Sequence, residues 1–271
     1  MILNAMNLLA VAAEKGAEQG GDGGAGFILE EVSDHVIWHL PTIWGIDFSI
    51  TKHVLMMWIA AAILIVVFGL AFRKIRLVPR GIANALESIV VFLREDILLP
   101  YLKPEDVVRF SPYILSVFFF ILTCNLLGLV PMGATATSNI SVTGTLAILT
   151  FLIGQVARLV RMGPVGYFRQ FIPPGIPGFV VPILFIAELM GLFTRHFALA
   201  IRLFANMIAD HLVVGTMIGL IFIFKSYAIA PASVLMAVAV ELLAVLIAFI
   251  QAYIFAMLSS VFIGLSLEEE H

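Results

Sequence analysis

"VPILFIAELMGLFTRHFALAIRLFANMIADHLVVGTMIGLIFIF", residues 181–224, decides the fold. Its one proline, Pro182, falls in the first turn, where a helix tolerates it, and Gly191 and Gly215 are candidate breakers. As a single helix these 44 residues extend about 66 Å, roughly twice the hydrocarbon thickness of a bilayer. A steeply tilted helix running partly along the membrane accommodates that length without a turn. The next segment, about 231–265, is over-long in the same way. Joined near "KSYAIAP", the two read as a helical hairpin.

The rest of the chain has the same character. Of its 271 residues 62% are hydrophobic and 12% charged, and the mean hydropathy is +1.10. A soluble domain could not bury that much apolar surface and still present a polar exterior, so the fold class is an all-α polytopic membrane protein. The formal charge of −3 matters less than where the charges fall. Cys124, the only cysteine, lies in an apolar run, which leaves no intrachain disulfide and no cysteine metal site. Residues 1–13, "MILNAMNLLAVAA", resemble a short signal sequence but lack a basic start, and residues 14–26 have the polar, glycine-rich composition of a mobile segment.

Residues 1–50 form a mostly polar N-terminal region, and the membrane domain covers 51–271. Its first three spans fall at about 53–72, 111–130 and 140–157, ahead of the two long segments. Residues 81–98 alternate apolar and polar at helical spacing and predict a helix lying in the interface. "IPPGIPG" at 172–178 is a breaker. Basic residues cluster after the first span (Arg73, Lys74, Arg76, Arg80) and after the third (Arg158, Arg161, Arg169). The positive-inside rule places both clusters in the cytoplasm. That gives five crossings, an external N-terminus, an outer loop at 132–139 and a cytoplasmic "SLEEEH".

Arg202 stands in the middle of the longest apolar segment. Its guanidinium stays charged, and by the gentlest scale a charge at the bilayer centre costs about 2.5–3.5 kcal/mol. With Arg202 at zero on a helical wheel, Arg195 falls at about 20°, Glu188 and Asn206 at about 40° and Asp210 at about 80°. His196 and His211 fall off this stripe, at about 120° and 180°. Glu188 and Arg195 can neutralise each other. Arg202 has no acid within one turn, so its counter-charge must come from another segment or another chain. On the last segment Glu241 and Gln251 are the only polar side chains between Ser233 and Tyr253, and Gln251 could meet Arg202 if the hairpin closes. Adjacent Asp210 and His211 point about 100° apart, so they do not make a metal pair, and no H-x-x-x-H or H-E-x-x-H occurs. A histidine beside carboxylates suits proton transfer. About a hairpin midpoint near 228, His211 pairs with roughly position 245, which favours Glu241 over Asp210 as the acid that helps it.

Three stretches carry a family resemblance. "ELMGLFTRHFALAIRLFANMIADH" (188–211), "IQAYIFAMLSSVFIGLSLEEEH" (250–271) and "ILTCNLLGLVP" (121–131) together resemble subunit a of the F-type ATP synthase membrane sector, over about 51–271. The resemblance implies that Arg202 is the essential arginine facing the carboxylate of the rotating c-ring. It places Glu188, Asn206 and Gln251 at the polar positions near it and Arg195 at a basic one. Asn125 and Thr143 match motif positions on earlier helices, and His211 matches an acid-or-histidine position of the outer access channel. Three positions depart from the pattern: Glu241 lies ten residues before Gln251 where the usual seven gives Ala244, Asn139 stands where aspartate is frequent, and His196 replaces a common proline.

The implied function is that of a proton-translocating stator subunit without catalytic activity of its own, in a bacterial-type inner membrane. Arg202 would separate two offset half-channels, an outer one by His211, Asp210 and Glu241 and an inner one by Glu188 and Arg195. The implied partners are the c-ring, the peripheral-stalk subunit b, the soluble catalytic head and the lipid bilayer, with no cofactor and no nucleic acid. Two rivals fit less well. A secondary transporter predicts internal repeats, and no two-halved pattern is present. An intramembrane hydrolase needs a nucleophile–base pair or a zinc motif, and neither is visible.

Overall fold

A computed structural model describes residues 36–38, 49–73, 81–130, 135–169, 180–224 and 230–267. The signal-like start, the glycine-rich 14–26, the breaker at 172–178 and the C-terminal "EEEH" lie outside the described residues, as do most of the first basic cluster and the link at 225–229. The N-terminal region contributes one regular feature, a short antiparallel pair of β1 (Val36–Trp38) and β2 (Ile50–Thr51). Thr51 then caps helix α1 (Lys52–Ala71) by accepting from the Val54 amide at 3.5 Å. This helix is apolar all round, with Trp58, Ile65 and Leu70 exposed, as a lipid-facing span requires.

Helix α2 (Ile82–Leu93) continues into one π-helical stretch, Arg94–Leu98, that buries Ile97 and Leu98 completely. The span expected at about 111–130 is helix α3, Pro104–Gly128. It starts earlier than its apolar run because Pro104 occupies a favoured first-turn position, with Glu105 and Asp106 complementing the helix dipole. A 3₁₀ turn, Ala136–Ser138, leads into α4 (Ile140–Arg169), which outlasts the expected 140–157. Its true break is a kink at Gly163, with φ 71° and ψ 173°, just before Pro164. Glycine is the residue that reaches such a positive φ without a Cβ clash.

Val181–Phe224 forms one continuous helix, α5, and Ala230–Leu267 another, α6. The two pack against each other, and α6 also packs on α3 and α4. Five helices among the described residues are long and apolar enough to cross a membrane. The packed side of α6 shows why it can sit among three neighbours: Ala244, Ala248, Ala252, Ala256 and Ser260, spaced four apart, are all buried. Lipid gives helices no hydrophobic reason to associate, so small side chains that let backbones approach closely supply the attraction through dispersion and hydrogen bonding. Around this seam Phe118, Ile121, Leu199, Leu203, Phe255 and Ile263 fill the core.

Polar fastenings hold one end of the bundle. Ser260 Oγ donates to the Ile97 carbonyl at 2.8 Å. Arg161 pairs with Asp106 at 2.8 Å, joining α4 to α3. Arg158 donates through Nε to the Ser266 carbonyl and through Nη2 to the Leu265 carbonyl, both at 2.7 Å, so it closes the C-terminus of α6. Replacing this arginine, Arg158→Met, should destabilise the bundle by about 1–2 kcal/mol, since charge-assisted bonds at a partly exposed helix end are lost. Thermal unfolding of the detergent-solubilised protein measures this, and an unchanged midpoint would show that the end of α6 is held by packing alone.

Candidate functional site

Burial along α5 divides its polar residues into two sets. Leu199, Ala200, Leu203 and Met207 are buried, and with Arg202 at zero they fall between about 60° and 160° on the wheel. Glu188, Arg195 and Arg202 are exposed and Asn206 half-buried, so the stripe runs along the edge of the packed face and looks away from α3, α4 and α6. Arg195 Nη2 stands 4.0 Å from Glu188 Oε1, with both side chains about half exposed (47% and 51%), a loose pair worth little in stability.

Arg202 sits at the midpoint of α5. Neither Arg202 nor Asn206 makes a hydrogen bond or ion pair with another described residue. Gln251 is only 8% exposed, on the packed side of α6, and the bond to Arg202 that the sequence suggested is not formed. The guanidinium is therefore directed outward from the bundle at mid-helix.

His196 and His211, off the stripe in the wheel, point into the protein. His196 is held between Phe151 of α4 and Phe262 of α6, at ring-centroid distances of 5.1 and 4.8 Å. Its Nδ1 lies 3.0 Å from the Leu192 carbonyl, which can only accept, so Nδ1 is the donor. An aromatic packing residue thus stands where the family pattern has proline, and α5 stays unbroken.

His211 belongs to a cluster that the sequence did not suggest. Its Nε2 lies 2.6 Å from Thr135 Oγ1. Ser138 Oγ donates to the Thr135 carbonyl at 2.7 Å, and His53 Nε2, from the first turn of α1, stands 3.3 Å from Ser138 Oγ. Thr137 Oγ1 donates to Asn125 Oδ1 at 2.6 Å, and Asn125 Nδ2 to the Ala248 carbonyl at 3.5 Å. Thr135, Thr137 and Asn125 are essentially inaccessible. The only advance signal was the hydroxyl-rich "TATSN" at 135–139, and His53 lies 85 residues from its serine.

Half-buried Asp210 and Glu241 lie on α5 and α6. Asp210 Oδ2 is buried and has no hydrogen-bond partner among the described residues, an unsatisfied acceptor that costs about 1–3 kcal/mol. Thr143 is fully buried near the start of α4 and donates back toward the Ile140 carbonyl at 3.3 Å. No group of three or more histidine, cysteine or acidic side chains suited to a metal occurs among the described residues.

Depth separates these groups. Glu188 and His211 are about 34 Å apart along α5, close to the thickness of the hydrocarbon. The end holding Glu188 is the end of the Arg158 and Arg161 fastenings, and the other holds the His211 cluster. Between two polar regions at opposite depths stands one outward-facing cation.

The family described as ATP synthase A chain matches residues 54–264. The chain is 51% identical over 228 residues to ATP synthase subunit a of Anaeromyxobacter sp. (strain Fw109-5), which covers 83% of this chain and 56% of that protein. It is 48% identical over 239 residues to ATP synthase subunit a of Chloroherpeton thalassium, covering 86% of this chain and 71% of the relative. Against ATP synthase subunit a 2 of Chlorobium luteolum the identity is 48% over 241 residues, with 86% and 70% covered. The chain thus spans a little over half the length of the first of these relatives and about seven tenths of the other two. On the extent of these matches, and with five helices among the described residues fit to span a membrane, the chain belongs to the family of ATP synthase subunit a.

Proposed function

We propose that this chain carries protons to and from a rotating ring of carboxylates through two half-channels separated by Arg202. The observation that supports this most directly is the exposed guanidinium at the midpoint of α5, without a partner among the described residues. Such a charge in hydrocarbon costs at least about 2.5–3.5 kcal/mol unless another chain supplies a negative one. A ring carboxylate crossing lipid must be protonated for the same reason. Beside Arg202 its charged form is favoured, its pKa falls, and it gives up its proton. Past the arginine it takes up another and re-enters lipid neutral. Arg202 also repels hydronium, so no direct leak joins the two routes.

In this reading His211, Asp210 and Glu241 serve the outer route, and Glu188 and Arg195 the inner one. Asn206, one turn beyond Arg202, and Gln251 supply polar contacts near the exchange point. The N-terminus lies outside and the C-terminus in the cytoplasm of a bacterial-type inner membrane, because both basic clusters then obey the positive-inside rule. The partners are the c-ring, subunit b of the peripheral stalk and the soluble catalytic head. ATP chemistry belongs to that head, and this chain contributes the ion path.

Arg202→Ala should lower ATP-driven proton pumping in inverted vesicles by about a hundredfold or more, the factor carried by roughly 3 kcal/mol of charge compensation. Assembly should persist, and Arg202→Lys should restore pumping only in part, because an ammonium lacks the planar fork that can face several acceptors. Normal pumping by the alanine variant would sink the reading. The orientation has its own check: Glu270→Cys should react with a membrane-impermeant maleimide in inverted vesicles and not in intact cells, and labelling of intact cells would reverse the topology.

A further inference from the structure

We propose that Thr135 is the positioning residue of His211, and that the turn carrying it is a preformed clamp braced by three helices. The inference rests on the reading of His211 as a proton-exchanging group. It adds a residue, and a reason for its surroundings, that neither the sequence motifs nor the family match assigns.

The contact is short, 2.6 Å between Thr135 Oγ1 and His211 Nε2, and Thr135 is 1% exposed. Its position is set on every side. A Cβ on Gly128, at the end of α3, would overlap the Thr135 hydroxyl and Cβ, so the threonine occupies space that only glycine leaves open. The Thr135 carbonyl accepts from Ser138 at 2.7 Å, and Ser138 meets His53 of α1 at 3.3 Å. Two residues on, Thr137 holds Asn125 of α3, which reaches the Ala248 carbonyl of α6. The turn is thereby tied to α1, α3 and α6 before it touches α5.

A hydroxyl suits this task for a reason of chemistry. It donates to an unprotonated Nε2 and accepts from a protonated one. A carbonyl or carboxylate only accepts, so it would hold the ring in one state alone. Thr135 therefore keeps its grip while a proton arrives and leaves. The pathway beyond it is a brace and not a wire: the Ser138 proton is committed to the Thr135 carbonyl, which cannot pass it on. Along this route His53 steadies the turn and passes no proton to His211. Closest along these elements to the bonded residues stand the charged or titratable Lys52 beside His53 on α1, Cys124 beside Asn125 on α3, Asp210 beside His211 on α5 and Glu241 on α6, with Arg202 nine residues before His211.

The test uses the whole ATP synthase in inverted vesicles, with pumping normalised to assembled complex and followed against the pH of the compartment that His211 serves. Thr135→Val keeps the shape and removes the hydroxyl. It should slow pumping by about tenfold, the scale of one lost hydrogen bond to an ionisable group, and displace the pH profile. Thr135→Ser should restore both rate and profile. Thr135→Ala serves as a second hydroxyl-free variant if the valine variant assembles poorly, and should give the same displaced profile. A normal rate and profile in a hydroxyl-free variant, alongside a defective His211→Ala, would overturn the positioning role and leave the channel reading standing. A silent His211→Ala would overturn both. Equal defects in the serine and valine variants would reduce Thr135 to a packing residue.

Discussion

A guanidinium that cannot lose its proton, fixed half-way along a helix in hydrocarbon, governs this molecule. Arg202 makes no hydrogen bond or ion pair with a described residue of its own chain, and Gln251, the partner its sequence suggested, is buried. The bundle is therefore electrostatically incomplete by itself. The proposed function has its α5 edge meet an opposite charge from a neighbouring chain, and membership of the ATP synthase subunit a family is consistent with such a setting.

That incompleteness needs a rigid background. The seam of alanines and serine along α6 brings three helices close enough for dispersion forces to hold them where water-driven association is absent. Several polar groups inside the bundle are consumed by one another: Thr137 by Asn125, Ser260 by the Ile97 carbonyl, Arg158 by the end of α6. Against those paired groups the outward-facing stripe and the buried Asp210 oxygen, without a hydrogen-bond partner among the described residues, stand out.

Much of this was legible from the chain. Length and the lack of a central breaker gave the continuous helix over 181–224, and helical spacing separated the charged stripe from the inward-pointing His196 and His211. Boundaries were harder. Pro104 starts α3 within a polar stretch that hydropathy alone assigns to a loop, and Gly163 ends the straight part of α4 beyond its apolar run. The clamp around His211 was not legible, because it joins residues 53, 125, 135, 138 and 211 through contacts that no local period encodes. The same holds for Gln251: wheel geometry gives the face of a helix but not which neighbour that face meets.

The fastenings between Arg158, Arg161, Asp106 and the last carbonyls of α6 have a mechanical meaning. In the function proposed above, a ring turning against α5 would push sideways on one long helix, and that thrust would have to reach the remainder of the stator without the helices sliding over one another. Alanine seams resist separation well but shear poorly, since small smooth side chains offer few interlocking ridges. Directional bonds that cross from α4 to α3 and to α6 at one end act as shear pins. On that reading, torque applied at mid-membrane would be borne as load at that end of the bundle, through a few guanidinium contacts.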